Sequence, residues 1–467
     1  MRTRRATAAL AAVVVSAGLL TACSNDEPSA DEAAAASSAT ISTTPLNAFE
    51  QQRSDGVSAL LEQLSSALHT GDHEGLDALI DAAAPADFRD RMHTAATAFA
   101  ERENRDHRGG RLHLTTFSYR VAPTTDPEQQ LSSDIASKLE ESGSSDSWVT
   151  PVELSYALGG ASLPGLHEPP VTLTETMAFA RYGDDWKVLG DASVAESVSA
   201  DHDPVEIGPW EFDGLAAADA KTAGGTSTVL SYPGTEKTVD RVRKILPGAV
   251  DAVDHFWGRD WPRRVAVVAT ADPAEFAALT RTKAGDTDSA AAATVFSQID
   301  RRGGKVIGQR IVLSPGAADM TEAALRVVVE HEMVHVAARM ATAENAPMWL
   351  TEGVPEYLGR KGTYREFSDA APDLAAAVVG RNVPKELPSD DEFAVDSEQA
   401  RVAYQSAWSF AAFVADEYGE QRLKRFYRAV AETGERAAAD AAMRSTLGED
   451  RAALVKLWQK WLEKRAR

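Results

Sequence analysis

The chain has a single cysteine, Cys23, in 467 residues. No disulfide can form within it, so the fold must be held by apolar burial, for which the length is ample. Positive charge is also scarce. Lys and Arg number 48 against 70 Asp and Glu, giving a formal net charge of -22 with no basic cluster to interrupt it. Such a surface repels nucleic acid and anionic headgroups, which excludes nucleic-acid binding as a role. Histidine is scarcer still, ten residues with none beyond His335. Long apolar runs are absent except near the start, where ATAALAAVVVSAGLL follows the basic MRTRR and is short for a membrane span.

That first segment ends in Leu20-Thr21-Ala22-Cys23, which resembles a bacterial lipobox. The resemblance implies a lipoprotein signal peptide over 1–22, a lipid anchor on Cys23 and a position on the outer face of the cytoplasmic membrane. Cleavage there removes three arginines and no acid, so the formal charge moves from -22 to -25. Residues 23–44 are small, polar and acidic without apolar periodicity and read as a disordered tether. The excess of Ala, and of Arg over Lys, suggests a high-GC bacterium such as an actinobacterium.

The informative stretch is VVVEHEMVHVAARMATAENAPMWLTEGVPE, residues 327–356. It places His331, Glu332 and His335 in the order His-Glu-x-x-His, and on a helix residues four apart share one face, so both histidines can hold one cation with Glu332 beside it. Asp319 with Glu322 predicts the cap of that helix. A third ligand downstream cannot be histidine or cysteine and must be a carboxylate. A short second helix, capped near Asn345 with Pro347 in its first turn, offers Glu352 and, one turn on, Glu356.

Here the stretch resembles the gluzincin metallopeptidases, the group related to thermolysin and the zinc aminopeptidases, in which a Glu-Gly step supplies a metal ligand. The resemblance implies Zn2+ held by His331, His335 and Glu352, with Glu356 orienting His331. Tyr404 is the best match to a tyrosine that hydrogen-bonds the oxyanion in some of these enzymes. Two departures stand out. Pro355 occupies a position where related sequences carry a small residue and removes a backbone N–H beside Glu356, which predicts a kink. The spacer between His335 and Glu352, sixteen residues, is short for either subgroup.

The expected fold class is α+β, in two domains. Residues 45–200 read as helices followed by strands at 111–122, 148–158, 171–182 and 186–192, an order resembling the cone-shaped nuclear-transport-factor-two-like or cystatin-like α+β folds. Trp148, Tyr156, Phe179 and Trp186 there are expected to be core rather than pocket lining. After a linker at 201–209, residues 209–467 read as a zincin-like α+β domain with a helical C-terminal part. Strands are expected at 264–270, 294–299 and 305–313, the last forming the sheet edge that pairs with extended substrate.

The constellation implies a zinc-dependent metallopeptidase acting on a protein or peptide, in which Glu332 takes the proton of a water that fills the open metal position. The alternative is a non-catalytic envelope lipoprotein whose zinc site is structural or vestigial and which binds a partner. A fourth protein ligand closing the site would favour that alternative.

Overall fold

In the computed structural model residues 48–100, 110–124, 128–163, 165–195, 206–282, 290–394 and 399–466 are described. The expected leader, Cys23 and the tether lie outside the described residues, as does the expected linker up to residue 205. Among the described residues no helix is long and apolar enough to cross a membrane.

Three helices come first, α1 (Ala48–Thr70), α2 (His73–Leu79) and α3 (Ala86–Phe99). The apolar stripe read from sequence is the buried face of α1, through Val57, Leu60, Leu61, Leu64 and Leu68. Strand β1 (His113–Val121), helix α4 (Ser133–Glu141) and strands β2 (Asp146–Gly160), β3 (Val171–Tyr182) and β4 (Asp185–Asp191) follow. The strands form one antiparallel sheet in the order β1-β2-β3-β4. Register shifts near Leu114 and between Ala178 and Phe179 add local twist and curl the sheet. Helices followed by a curled antiparallel meander is the arrangement expected. Tyr156, Phe179 and Trp186 are buried in its core, and half-buried Trp148 lies under the Arg53 guanidinium at 5.6 Å.

The second sheet is built from β5 (Ala216–Thr222), β6 (Gly225–Ser231), β7 (Ala266–Ala269), β8 (Ala292–Val295) and β11 (Arg310–Leu313), in the order β5-β6-β7-β11-β8. Helix α5 (Glu236–Trp257) makes the crossover between parallel β6 and β7, and α6 (Pro273–Thr280) follows β7. Asp272 caps α6 as expected, accepting from the amides of Ala274 and Glu275. Strands β9 (Gln298–Asp300) and β10 (Lys305–Ile307) form a separate hairpin.

The strand expected over 305–313 is thus two strands. Gly308, at φ 66°, breaks it, and only β11 enters the large sheet, where it pairs with β7 on one side and β8 on the other. The sheet edge is β8, not the strand directly preceding the metal-site helix.

Alternation along the strands gives this sheet two buried faces. Val229, Val267, Ala269, Ile311 and Leu313 pack toward α5 and α7 (Glu322–Ala338). Leu230, Ala266, Val268, Ala293 and Val312 join the apolar cluster of the N-terminal helices and first sheet. Trp210 wedges into that cluster, its ring 5.4 Å from Phe99, 5.8 Å from Phe117 and 4.8 Å from Tyr156. The seam carries a polar network as well. Fully buried Arg310 on β11 donates to the Tyr156 hydroxyl at 2.7 Å, and that hydroxyl donates to Glu206 at 3.2 Å.

The remainder is helical: α8 (Met348–Thr351), α9 (Gly353–Arg360), α10 (Phe367–Ala370), α11 (Pro372–Val379), α12 (Ala400–Tyr418), α13 (Glu420–Ala431), α14 (Arg436–Ala442) and α15 (Arg451–Arg465). Trp458 on α15 packs edge-on against Phe410 of α12 and donates its indole N–H to Ser409.

Candidate metal centre

Helix α7 is rich in β-branched residues, which on propensity alone disfavour a helix. It forms because nearly all of its surface is covered, every residue from Val327 to Ala338 being buried. Its cap is Thr321, whose hydroxyl accepts from the Ala324 amide at 3.2 Å. The expected cap, Asp319, instead ends a 3-10 turn over Pro315–Asp319.

The second helix of the motif is broken in two at Glu352, whose φ of -96° and ψ of -38° separate α8 from α9. Asp390, from a distant turn, rather than Asn345, accepts the amide of Met348 at the start of α8, at 2.8 Å. The break disposes of the kink expected from Pro355. That residue sits in the first turn of α9, where backbone N–H groups have no intrahelical partner, so its missing donor costs little. The amide of Glu356 still donates to the Glu352 carbonyl at 2.9 Å.

Gly353 and Gly359 let α9 approach its neighbours closely. A Cβ on Gly353 would meet the Ala407 carbonyl oxygen of α12 at 2.6 Å, and one on Gly359 would meet that of Val327 on α7 at 2.6 Å. Backbone contact on both sides fixes where Glu352 and Glu356 project.

The three residues expected to hold metal come together. Nε2 of His331 lies 3.0 Å from Nε2 of His335 and 3.3 Å from Oε2 of Glu352, and His335 Nε2 lies 3.7 Å from Oε1 of the same carboxylate. Nitrogen and oxygen ligands at zinc distances define a tetrahedron with edges of about 3.3 Å. The three contacts straddle that value, so the donor set fits a zinc-sized cation. Its chemistry fits too. Burial, reinforced by the charges of His331 and Arg339, pushes His335 down to about 3, leaving a neutral imidazole with a lone pair to donate. Burial alone would also lower His331, but the hydrogen bond to Glu352 and the charges of Glu356 and Glu352 raise it instead. The carboxylates of Glu352 and Glu356 thus favour positive charge at His331. Among the described residues this is the group of three such side chains close enough to share an ion.

Around it stand the other expected residues. Glu356, 2% exposed, places Oε1 3.5 Å from His331 Nδ1 while its other oxygen accepts from Arg360, which also donates to the Ala370 carbonyl at 2.5 Å. Glu332 is fully buried and accepts the Thr294 hydroxyl on Oε2 at 2.6 Å, leaving Oε1 buried and unpartnered. Burial raises its pKa to about 7 against the lowering effects of His331 and Thr294. Tyr404, on α12, is buried with Phe393 edge-on at 5.0 Å; burial and the nearby charges of Glu352, Glu356 and Glu332 hold its phenol well above the usual range, hence protonated.

Two residues went unread in the sequence. Thr294, in strand β8, was placed only as a strand residue, and nothing local in AAATVF marks it as the partner of a glutamate 38 positions on. Arg339, one turn beyond His335, carried a signal in its i+4 spacing from that ligand.

Residues 288–464 match the family model of the Peptidase MA superfamily. This part of the chain is similar to a gluzincin-like metallopeptidase domain. The match opens just before β8 and closes within α15, so the matched segment carries the edge strand, the helices of the candidate metal site and the C-terminal bundle. No curated protein matches the chain. Among solved structures, a variant of an M1 zinc metallopeptidase from Deinococcus radiodurans bound to Tyr-Ser-Ala substrate is 13% identical, with a TM-score of 0.30 over 54% of this chain and 52% of that one. The M1 zinc metallopeptidase from the same organism is 13% identical, with a TM-score of 0.31 over 77% of this chain and 73% of that one. The chain thus spans about half the length of the first of these structures.

Proposed function

We propose that this protein is a zinc metallopeptidase, anchored by lipid on Cys23 to the outer face of the cytoplasmic membrane, that hydrolyses peptide bonds in a protein or peptide substrate. The observation that carries the reading is the buried triangle of His331, His335 and Glu352 with the unpartnered Oε1 of Glu332 beside it. Zinc held there would polarise a substrate carbonyl and make water a nucleophile near neutral pH. The two domains are proposed to divide at the linker over 201–209, with 45–200 serving the peptidase domain as a scaffold along the seam at Arg310 and Tyr156.

The chain's own groups fill the remaining roles. Thr294 fixes one oxygen of Glu332, so the other is oriented and available to take the proton of the attacking water and to pass it to the leaving amine. Glu356, itself held by Arg360, places a carboxylate oxygen 3.5 Å from His331 Nδ1 and so favours the tautomer protonated there, which leaves Nε2 free for the metal. Tyr404, kept protonated, is the donor for the oxyanion. Strand β8 pairs with β11 on one side, and its other edge offers backbone groups to an extended peptide. A closed structural site needs a fourth protein ligand. Among the described residues the group has three, which supports the catalytic reading over the binding one.

The test is Glu332→Gln against His331→Ala. Glu332→Gln should keep about one zinc per chain by elemental analysis and lose peptide cleavage by about 10²–10⁴-fold. His331→Ala should lose the zinc. Cleavage that survives Glu332→Gln overturns the mechanism, and full zinc content in His331→Ala removes the site.

A further inference from the structure

Arg339 is a half-buried cation near the candidate metal centre that the proposed mechanism does not use. It closes α7, four residues after His335 and seven after Glu332, so all three project from one side of the helix. Helical side chains lean toward the N-terminus, which carries the guanidinium back along the helix toward the ligands. It lies over Phe296, with Cζ 4.8 Å from the ring centroid. Phe296 directly follows β8, two residues after Thr294, and its carbonyl accepts from Arg281 at 2.7 Å. Arg281 in turn pairs with Glu206, which also accepts from Tyr156 and Ser297. The shelf under Arg339 is therefore braced from the N-terminal half of the molecule.

A cation held this firmly is expected to meet an anion. Among the described residues no carboxylate lies within ion-pair distance of Arg339, and its Nε is buried with no acceptor. Burial lowers its pKa, while Tyr427, Glu352 and Glu332 act in the opposite direction, which places the guanidinium within the field of the metal-site carboxylates. A cation at this point also meets the negative end of α7, but an exposed side chain serves that purpose without desolvation. The side chain is only half-buried as a whole, so it is open to a ligand.

We infer that Arg339 is a specificity-determining anchor that binds a carboxylate of the substrate next to the scissile bond. The inference rests on the peptidase reading and adds the substrate class: peptides carrying either a free C-terminal carboxylate or an acidic side chain close to the cleavage point. A guanidinium offers two parallel N–H donors to one carboxylate.

The test uses zinc-loaded chain with Glu332→Gln, so that ligands stay intact, alone and combined with Arg339→Gln or Arg339→Lys. Three probes are titrated by calorimetry: N-acetyl-Ala-Ala, its C-terminal amide, and N-acetyl-Glu-Ala amide. Either carboxylate probe should bind at least about 10-fold tighter than the neutral amide, and which one does so identifies the source. Arg339→Gln should erase that difference with zinc content unchanged, and Arg339→Lys should retain part of it. Equal affinity for charged and neutral probes, or a difference that survives Arg339→Gln, overturns the inference, and the first of these needs no substitution at Arg339. Cleavage of a peptide mixture by the unsubstituted chain tests the other reading separately. Selectivity without cleavage removes the peptidase, and cleavage without selectivity removes the anchor.

Discussion

Replacing Gly353 by alanine tests whether the third ligand is placed by backbone packing. The added Cβ would stand 2.6 Å from the carbonyl oxygen of Ala407, against about 3.4 Å for an ordinary contact, so α9 and α12 must part by about 0.8 Å. Neither partner can give cheaply, since the obstacle is main chain within a 19-residue helix. Overpacking of this kind costs about 1–3 kcal/mol. The effect on the site should be larger than that on the fold. Glu352 immediately precedes Gly353, its contacts with the two histidines are 3.3 and 3.7 Å, and metal sites tolerate ligand errors of about 0.2 Å. Zinc affinity, read by competition with a chromophoric chelator, should fall by at least about 10-fold. The control is Gly248→Ala in α5, where a Cβ meets nothing within 4 Å. It removes a flexible residue from a helix interior and should leave zinc affinity unchanged while raising stability by about 0.5–1 kcal/mol. If Gly353→Ala binds zinc as tightly as the unsubstituted chain, the close approach of α9 to α12 does not set the ligand, and the account of the Glu-Gly step given above is wrong.

Glu356→Gln should weaken zinc binding by about 10–100-fold, because it removes the carboxylate charge 3.5 Å from His331 Nδ1 and leaves half-buried Arg360 without its charged partner; chelator competition showing no change would detach Glu356 from the site. Far from the metal, Glu175 has its pKa pushed to about 7 by burial and by the charges of Glu211 and Asp191. A carboxyl raised in the folded state favours folding below its unfolded value, near 4.3, and that stability is lost as pH rises from there through 7, by about 4 kcal/mol in all. Glu175→Gln should therefore leave the Tm nearly unchanged at pH 4 and raise it by several degrees at pH 8; equal shifts at both pH values would mean that the carboxyl titrates normally.

How far the sequence revealed the fold depends on how locally each element is encoded. Strand β3 was legible residue for residue and α1 by its buried stripe, because period-2 and period-3.6 patterns are properties of the segment itself. The β5–β6 hairpin was not, since AAADAKT lacks the β-branched and aromatic residues that mark strands and becomes one only by packing Ala218 and Ala220 under α5. The strand expected over 305–313 failed for a related reason. Its apolar pattern is continuous, but Gly308 takes a left-handed conformation that turns the chain between two sheets, and nothing in the pattern reveals which neighbour each half will pair with.

The metal centre divides along the same line. His331, Glu332 and His335 were legible because the helix repeat alone brings them to one face, while the absence of later histidine and cysteine left only carboxylates, among which the gluzincin resemblance pointed to Glu352. Thr294 was not, because its link to Glu332 crosses from the sheet edge to the helix, a tertiary contact with no local trace. Arg339 lies between the two cases. Its spacing from His335 was available, yet the same spacing describes any solvent-facing cation at a helix end. Only the ring of Phe296 beneath it, the missing carboxylate partner and the burial of Nε separate an anchor from a cap. Those three facts belong to the packed chain, so the proposed reaction rests on the motif while the proposed choice of substrate rests on contacts made across the fold.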